Sequence, residues 1–413
     1  MSKLHCADSY TALLPRYVSR FRCIGADCED TCCSGWDILI DQKSQEAYAD
    51  PAKTYPPALR SLFNNKLRIE SAPSREKYAS TINDPCTHDC PFLQDRWCAI
   101  HRDIGEDKLS NTCFNYPRFT RDILGSVEQS LTLSCPEAAR QALLNADAFD
   151  FVEGEIAVRP DTMNVISEKW GISLHDMNDI RIFCFQLMRA EGLQTWEKLA
   201  TLGAFCRELD RLITEEKPSS MAGLLENFQF AMESGEVARM LSKIRPDPVS
   251  QAKLFHTIWK SRREQARSPL RQKVQDAIAQ AFGLDRENAL TDTEALAENY
   301  RRGLKNLPDA LARTPYLLDH YVLNEVFRDF FPFGAQSAYQ NYLGIVFRFG
   351  TLRFMLSAMS SDAQSLPSRD ELIRTVGVFC RIYQYDSLAE LFNQALKEVG
   401  WDRLEDVYGL LPP

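Results

Sequence analysis

Nine of the thirteen cysteines in this 413-residue chain lie between positions 23 and 135. They are Cys23, Cys28, Cys32, Cys33, Cys86, Cys90, Cys98, Cys113 and Cys135. The first segment is spaced Cys23-x4-Cys28-x3-Cys32-Cys33, and the second Cys86-x3-Cys90-x7-Cys98-x14-Cys113. Thiolates are soft donors, and four of them hold zinc or an iron–sulfur cluster. The eight thiols of these two segments are therefore candidate metal ligands, enough for one site or two. Buried structural thiols or disulfides are the bland alternative. They fit poorly with such tight bunching in a chain that shows no secretory signal. The spacing does not name the metal. It does lack the Cys-x3-Cys-x2-Cys pattern of common radical S-adenosylmethionine (SAM) enzymes, because Gly35 and Leu93 stand where the third cysteine would be. Side chains of adjacent residues diverge, so Cys32 and Cys33 are expected to serve different roles.

The residues around the thiols have simpler expected roles. Asp27, Glu29 and Asp30 read as solvated loop acids. His88 and His101 read as outer-layer or surface histidines, and Trp36 and Trp97 as packing residues. Cys6, Cys184, Cys206 and Cys380 are isolated, and the last three sit in apolar helical patterns that mark core positions. No phosphate loop or Gly-x-Gly-x-x-Gly occurs, and the 18 glycines are never clustered. A doubly wound nucleotide-binding domain is not expected.

Composition sets the frame for these groups. Apolar residues make up 45% and charged residues 25%, ordinary values for a globular protein. A net charge of −9 with no basic stripe argues against nucleic acid as a partner. No run approaches the ~18 apolar residues of a spanning helix, so no transmembrane segment is expected. Met1 to Tyr10 has no apolar h-region, which predicts a cytoplasmic protein.

The expected fold class is mainly α. An irregular, cysteine-rich metal-binding unit with short strands should occupy residues 1–160, packed on an all-helical body at 161–413. In the first part, Trp36 to Asp41 and Ser126 to Cys135 read as strands, Pro57 and Pro136 as helix starts, and 149–158 as a short hairpin. Beyond 160 a period of about 3.6 residues takes over. It predicts helices at 176–191, 194–215, 219–233, 250–267, 269–282, 291–303, 316–330, 336–360, 369–384 and 386–399. Pro308 is expected to fall at a break. The aromatic stretch Pro315 to Gly334 reads as buried core. Its less favoured reading is a pocket wall, with Asn324, Glu325 or Asp329 as polar contacts.

The run from Tyr17 through Cys23, Cys28, Cys32 and Cys33 to Trp36 and Asp41 resembles the flagellin lysine-N-methylase (FliB) family. The resemblance continues through Cys90-Pro-Phe-Leu93, Trp97-Cys-Ala-Ile-His101 and Cys113-Phe-Asn-Tyr-Pro117, and again at Asn324 to Gly334. The second part is also similar to cysteine-rich zinc- or iron-chelating domains. The resemblance implies SAM-dependent methyl transfer to lysine ε-amines of flagellin in the cytosol, by a protein-lysine N-methyltransferase. It implies a [4Fe–4S] cluster, with Cys23, Cys28, Cys32, Cys33, Cys86, Cys90, Cys98 and Cys113 carried over as its candidate ligands and Cys135 as a weaker one. No catalytic base or SAM-binding residue can be placed. The competing reading is a zinc-stabilised interaction module or a metal carrier without methyltransferase activity.

Overall fold

The computed structural model describes residues 7–215, 221–284, 293–384, 392–393, 396–397, 401 and 403–413. Cys6 and most of the expected helix at 386–399 lie outside them. The fold is mainly α. The chain separates into two compact units. The first comprises residues 1–141, 150–165 and 264–273, and the second 142–149, 166–263 and 274–413.

The strands of the first unit are β1 (Asp8–Pro15), β2 (Leu39–Ile40), β3 (Leu67–Ile69), β4 (Ala79–Thr81), β5 (Leu93–Gln94), β6 (Trp97–Cys98), β7 (Arg118–Ile123), β8 (Ser126–Leu131), β9 (Phe151–Val158) and β10 (Asn164–Val165). Five form one sheet in the order β10-β7-β8-β1-β9, and β2-β4-β3 form a smaller one. In β1 the side chains alternate, Ala12 and Leu14 inward and Thr11 and Leu13 outward, the period of two that a half-buried strand requires. The stretch 149–158 is not a hairpin. It is the single strand β9, paired antiparallel along all of β1 from Asp8↔Val158 to Pro15↔Phe151. Its partner is far away in sequence, where local turn signals cannot reveal it.

A compact apolar core lies under the smaller sheet and joins Ile38, Ile40, Tyr48, Leu59, Phe63, Phe92, Ile100 and Leu109 to Cys33 and Cys90. Tyr48 stacks on Phe63 with centroids 4.2 Å apart. Burying each such side chain contributes roughly 1.5–3 kcal/mol. The loops that carry the cysteines are therefore anchored by packing as well as by their own hydrogen bonds.

The second unit is built from helices, and the helix Pro269–Ala281 has its first five residues in the first unit. Observed helices Leu174–Arg189, Thr195–Thr214, Met221–Glu233, Pro269–Ala281, Leu317–Arg328, Ala338–Met359 and Arg369–Tyr383 follow the expected ones closely. Two depart. The helix Pro248–Arg262 gives way to a 3-10 turn at Arg263–Gln265. The helix Thr293–Leu311 runs straight through Pro308, because Leu304, Leu307 and Ala310 continue its buried face.

Helix Ala338–Met359 is buried on almost every side, as expected of a helix whose apolar residues circle its whole surface. Its N-terminus is held by Asp210, whose carboxylate accepts from the backbone N–H groups of Ala338 (2.9 Å) and Tyr339 (3.0 Å). Gly303 lies against it, where an added Cβ would stand 2.1 Å from the backbone carbonyl oxygen of Ser357. A carbonyl in a helix cannot step aside as a flexible side chain can. Gly303→Ala should therefore cost about 1–3 kcal/mol by overpacking, more than the ~1 kcal/mol that alanine normally gains over glycine in a helix. A lowered melting temperature for this variant is the expected measurement; an unchanged or raised one would mean that the two helices separate without cost.

Candidate metal centre

Local structure folds the two cysteine segments together. Cys33 accepts a backbone hydrogen bond from Cys90 (2.8 Å), Ser34 bridges to Asp89, and Gly35 donates to the carbonyl of His88 (2.9 Å). The β5–β6 hairpin then turns back through Asp95 and Arg96, both at positive φ. Its register, Leu93↔Cys98, returns Cys98 towards Cys90. A second hairpin, β7–β8, begins five residues after Cys113 and ends four before Cys135. Pairing of Arg118 with Leu131 brings those two cysteines to the same end of it. Four stretches distant in sequence thus deliver thiols to one place.

That place is a cavity of about 110 Å³. Cys23, Cys28, Cys32, Cys33, Cys98, Cys113 and Cys135 line it, with Phe21, Trp97, Tyr116, His101, Glu106 and Glu137 among their neighbours. Cys90 lies just behind, on a smaller apolar cavity of about 20 Å³ that it shares with Cys33, Cys98 and Cys113. Cys86 stands apart. It is exposed, in a turn closed by Asp84, whose carboxylate accepts from the N–H of Cys86 (2.8 Å), and it lines neither cavity. Cys135 is the thiol whose place here its spacing least revealed. All described cysteines are free thiols, and Cys184, Cys206 and Cys380 are buried in the helical unit as expected.

Cys32 is an electrostatic neighbour of the whole group. It bears on the proton affinity of Cys23, Cys28, Cys33, Cys90, Cys98, Cys113 and Cys135 alike. Burial pushes the thiols of Cys28, Cys90 and Cys135 up to about 12. It also raises Cys113 well above the usual thiol range. Hydrogen bonds to Cys32 and Cys98, together with burial, raise Cys33, while the bond from Cys33 holds Cys98 below its usual value. Cys32 and Cys33, neighbours in sequence, both line the cavity. The peptide between them is fixed by Trp36, whose indole donates to the Cys32 carbonyl at 2.7 Å.

Among the described residues, no three Cys, His, Asp or Glu side chains form a ready-made site for one metal ion. The sulfurs surround a space instead. Soft thiol donors of this kind can hold zinc or an iron–sulfur cluster. Asp27 is exposed as expected, while the other two acids beside the thiols depart from full solvation, Glu29 in part and Asp30 wholly. Asp30 is buried against Arg271, and Glu29 pairs with Arg140 at 2.5 Å. The cavity is lined by the carboxylates of Glu106 and Glu137 alongside the aromatic rings, and by Asp30 in its pair with Arg271.

The aromatic stretch of the helical unit is core. Asn324 and Glu325 have 0% exposure, and Phe330, Phe331 and Phe333 are buried with them. No helix among the described residues is long and apolar enough to cross a membrane.

The class defined so far is a mainly α protein that carries a thiol-lined cavity in a small mixed unit. Residues 181–410 match the FliB lysine N-methylase C-terminal domain. That is more than half of the chain, which belongs to the FliB lysine N-methylase family. The cysteine-rich segments lie outside the matched residues. Among curated proteins, the chain is similar to a Lysine-N-methylase of Salmonella typhimurium, 27% identical over 244 residues, covering 57% of this chain and 57% of the relative. The Lysine-N-methylase of Salmonella choleraesuis matches to the same extent. The Flagellar biosynthetic protein FliU of Salmonella muenchen is 29% identical over 139 residues, 33% of this chain and 80% of the relative. The match thus spans 57% of the length of the two methylases. No solved structure matches the chain.

Proposed function

We propose that this chain transfers methyl groups from SAM to lysine side chains of flagellin, and that its cavity thiols hold a [4Fe–4S] cluster. The observation that carries the reading is the convergence of seven thiols on one cavity in a chain of the FliB lysine N-methylase family. The names of the methylase relatives and of FliU support the reaction and the flagellar partner. The ligands would be drawn from Cys23, Cys28, Cys32, Cys33, Cys98, Cys113 and Cys135, with Cys32 among them. A cluster bound there would tie the loops together and supply one-electron chemistry.

The rest of the site follows from what the transfer demands. The lysine amine must lose a proton before its lone pair can form the N–C bond. As that bond forms, the C–S bond of the methyl sulfonium breaks and S-adenosylhomocysteine leaves. Glu106 and Glu137 line the cavity, paired with Arg118 (3.6 Å) and Arg140 (2.5 Å), and are the carboxylates that would take the proton. The faces of Trp97 and Tyr116, on the same wall, suit a sulfonium cation. Arg118 already lies over the Phe21 ring, 5.7 Å from its centroid, so Phe21 is the less available surface.

Anaerobic purification followed by iron, sulfide and zinc analysis tests the metal. A brown protein absorbing near ~400 nm is expected. Incubation with SAM and flagellin should then add increments of about 14 Da to flagellin, one CH2 per methylation, and iron chelation should remove both the colour and the stability that ligation contributes. A colourless zinc protein that leaves flagellin unchanged would support the interaction-module reading instead. Full-rate methylation by a stably folded, metal-free protein would remove the cluster from the proposal.

A further inference from the structure

The loop that carries Cys28, Cys32 and Cys33 is gripped by a residue from far along the chain. Asp30 lies between Cys28 and Cys32, and its side chain is only 6% exposed; that of its partner, Arg271, is 2% exposed. The guanidinium meets both carboxylate oxygens, Nε to Oδ2 at 3.0 Å and Nη2 to Oδ1 at 2.8 Å. Nη2 also donates to the carbonyl of Ser34 at 3.2 Å, immediately after Cys33. One planar group therefore holds both sides of the Cys32–Cys33 pair. The next residue is shaped to admit it. Gly35 has φ +86°, and a Cβ there would stand 2.3 Å from Nη1 of Arg271. Arg271 is itself held at the start of its helix, where its backbone N–H donates to Ser268 Oγ at 3.3 Å. Its segment, 264–273, belongs to the first unit.

Burying an ion pair is a poor route to stability, since desolvation consumes much of the attraction. What a guanidinium adds is a rigid fork that fixes several acceptors at once, which lysine cannot reproduce. We infer that Arg271 is a positioning residue for the cysteine loop, setting the separation of Cys28 from Cys32 and Cys33. The spectroscopic part of this inference rests on the cluster reading above; the geometric part does not.

The test uses the full chain with Arg271→Gln alone and with Asp30→Asn added. Metal-free protein is alkylated with iodoacetamide and each thiol's rate is read by mass spectrometry. Thermal melting is recorded in parallel, as is the electron paramagnetic resonance of iron- and sulfide-reconstituted, reduced protein. Arg271→Gln alone should melt lower, because it strands a buried carboxylate. The double variant strands no charge and should recover most of the melting temperature. Its Cys28, Cys32 and Cys33 should still be alkylated about tenfold faster than in the unmodified chain, with Cys184, Cys206 and Cys380 unchanged. On reconstitution its resonance should change shape, or its iron content should fall by about half or more.

A double variant with unaltered alkylation rates would overturn the inference. So would acceleration spread equally over all thiols, which would make the pair a general stabiliser. If the unmodified chain takes up no iron, the cluster reading fails, while the alkylation pattern still decides the role of Arg271.

Discussion

Cys32→Ser is expected to abolish iron binding and, with it, methylation of flagellin. Cys32 lines the cavity, and the Trp36 indole holds its carbonyl at 2.7 Å, so its sulfur is fixed in the wall. Serine keeps the shape but supplies a hard oxygen in place of a soft sulfur. Even partners outside the ligand shell of a metal site cost about 10–100-fold when removed, so loss of a ligand should exceed about 100-fold in methylation rate. Cys98→Ser and Cys113→Ser should follow the same course, because both thiols line the two cavities. Cys86→Ser is the informative contrast. Its thiol is exposed and lines neither cavity, so iron content and activity should stay within about twofold of the unmodified chain, the range of a surface substitution. Cys184→Ser, Cys206→Ser and Cys380→Ser should leave metal content unchanged and act through core packing. Iron and sulfide per chain, measured beside intact-mass methylation, check all of these. Equal metal loss in the cavity and core groups would dissolve the distinction.

The cysteines were legible as a group because metal donors announce themselves by type and spacing. Which of them converge was not, because convergence depends on pairings between distant stretches. Cys135 joins Cys113 only through the β7–β8 register, and Cys86 is only four residues from Cys90 yet turns away from the cavities. Asp30 read as a solvated acid because its partner, Arg271, is 241 positions away. Helices were the most legible elements, since their apolar period is local. Even there, Pro308 misled. Proline normally ends a helix, but the continuing buried face of Leu304, Leu307 and Ala310 outweighed the lost hydrogen bond. The β1–β9 ladder escaped for the opposite reason, with 149–158 expected as a hairpin, as its order comes wholly from long-range pairing.

Glu325→Ala should be among the most destabilising single substitutions in the helical unit. The carboxylate has 0% side-chain exposure and meets Arg348 at 2.6 Å and Arg328 at 3.3 Å. Gln384 also donates to it. Removing it leaves two guanidinium groups with Asp329 as their remaining nearby carboxylate, 2.8 Å from Arg328 and 3.2 Å from Arg348. Breaking a buried pair in this way costs about 3–5 kcal/mol. Asp329, 38% exposed, offsets only part of that. For a unit of roughly 150–250 residues each kcal/mol lowers the melting temperature by about 2–4 °C, so a fall on the order of 10 °C is expected. The alternative for this residue, a polar contact to substrate from a pocket wall, makes a different forecast. It would raise KM and leave the melting curve in place. Replacing Glu325 and Arg348 together by methionine separates the two further. If Glu325 serves to neutralise the arginines, the double variant should melt above the single one, because fewer charges remain buried without a partner. If the double variant melts lower still, with losses that simply add, the two residues act independently and the ion pair is not what holds these helices.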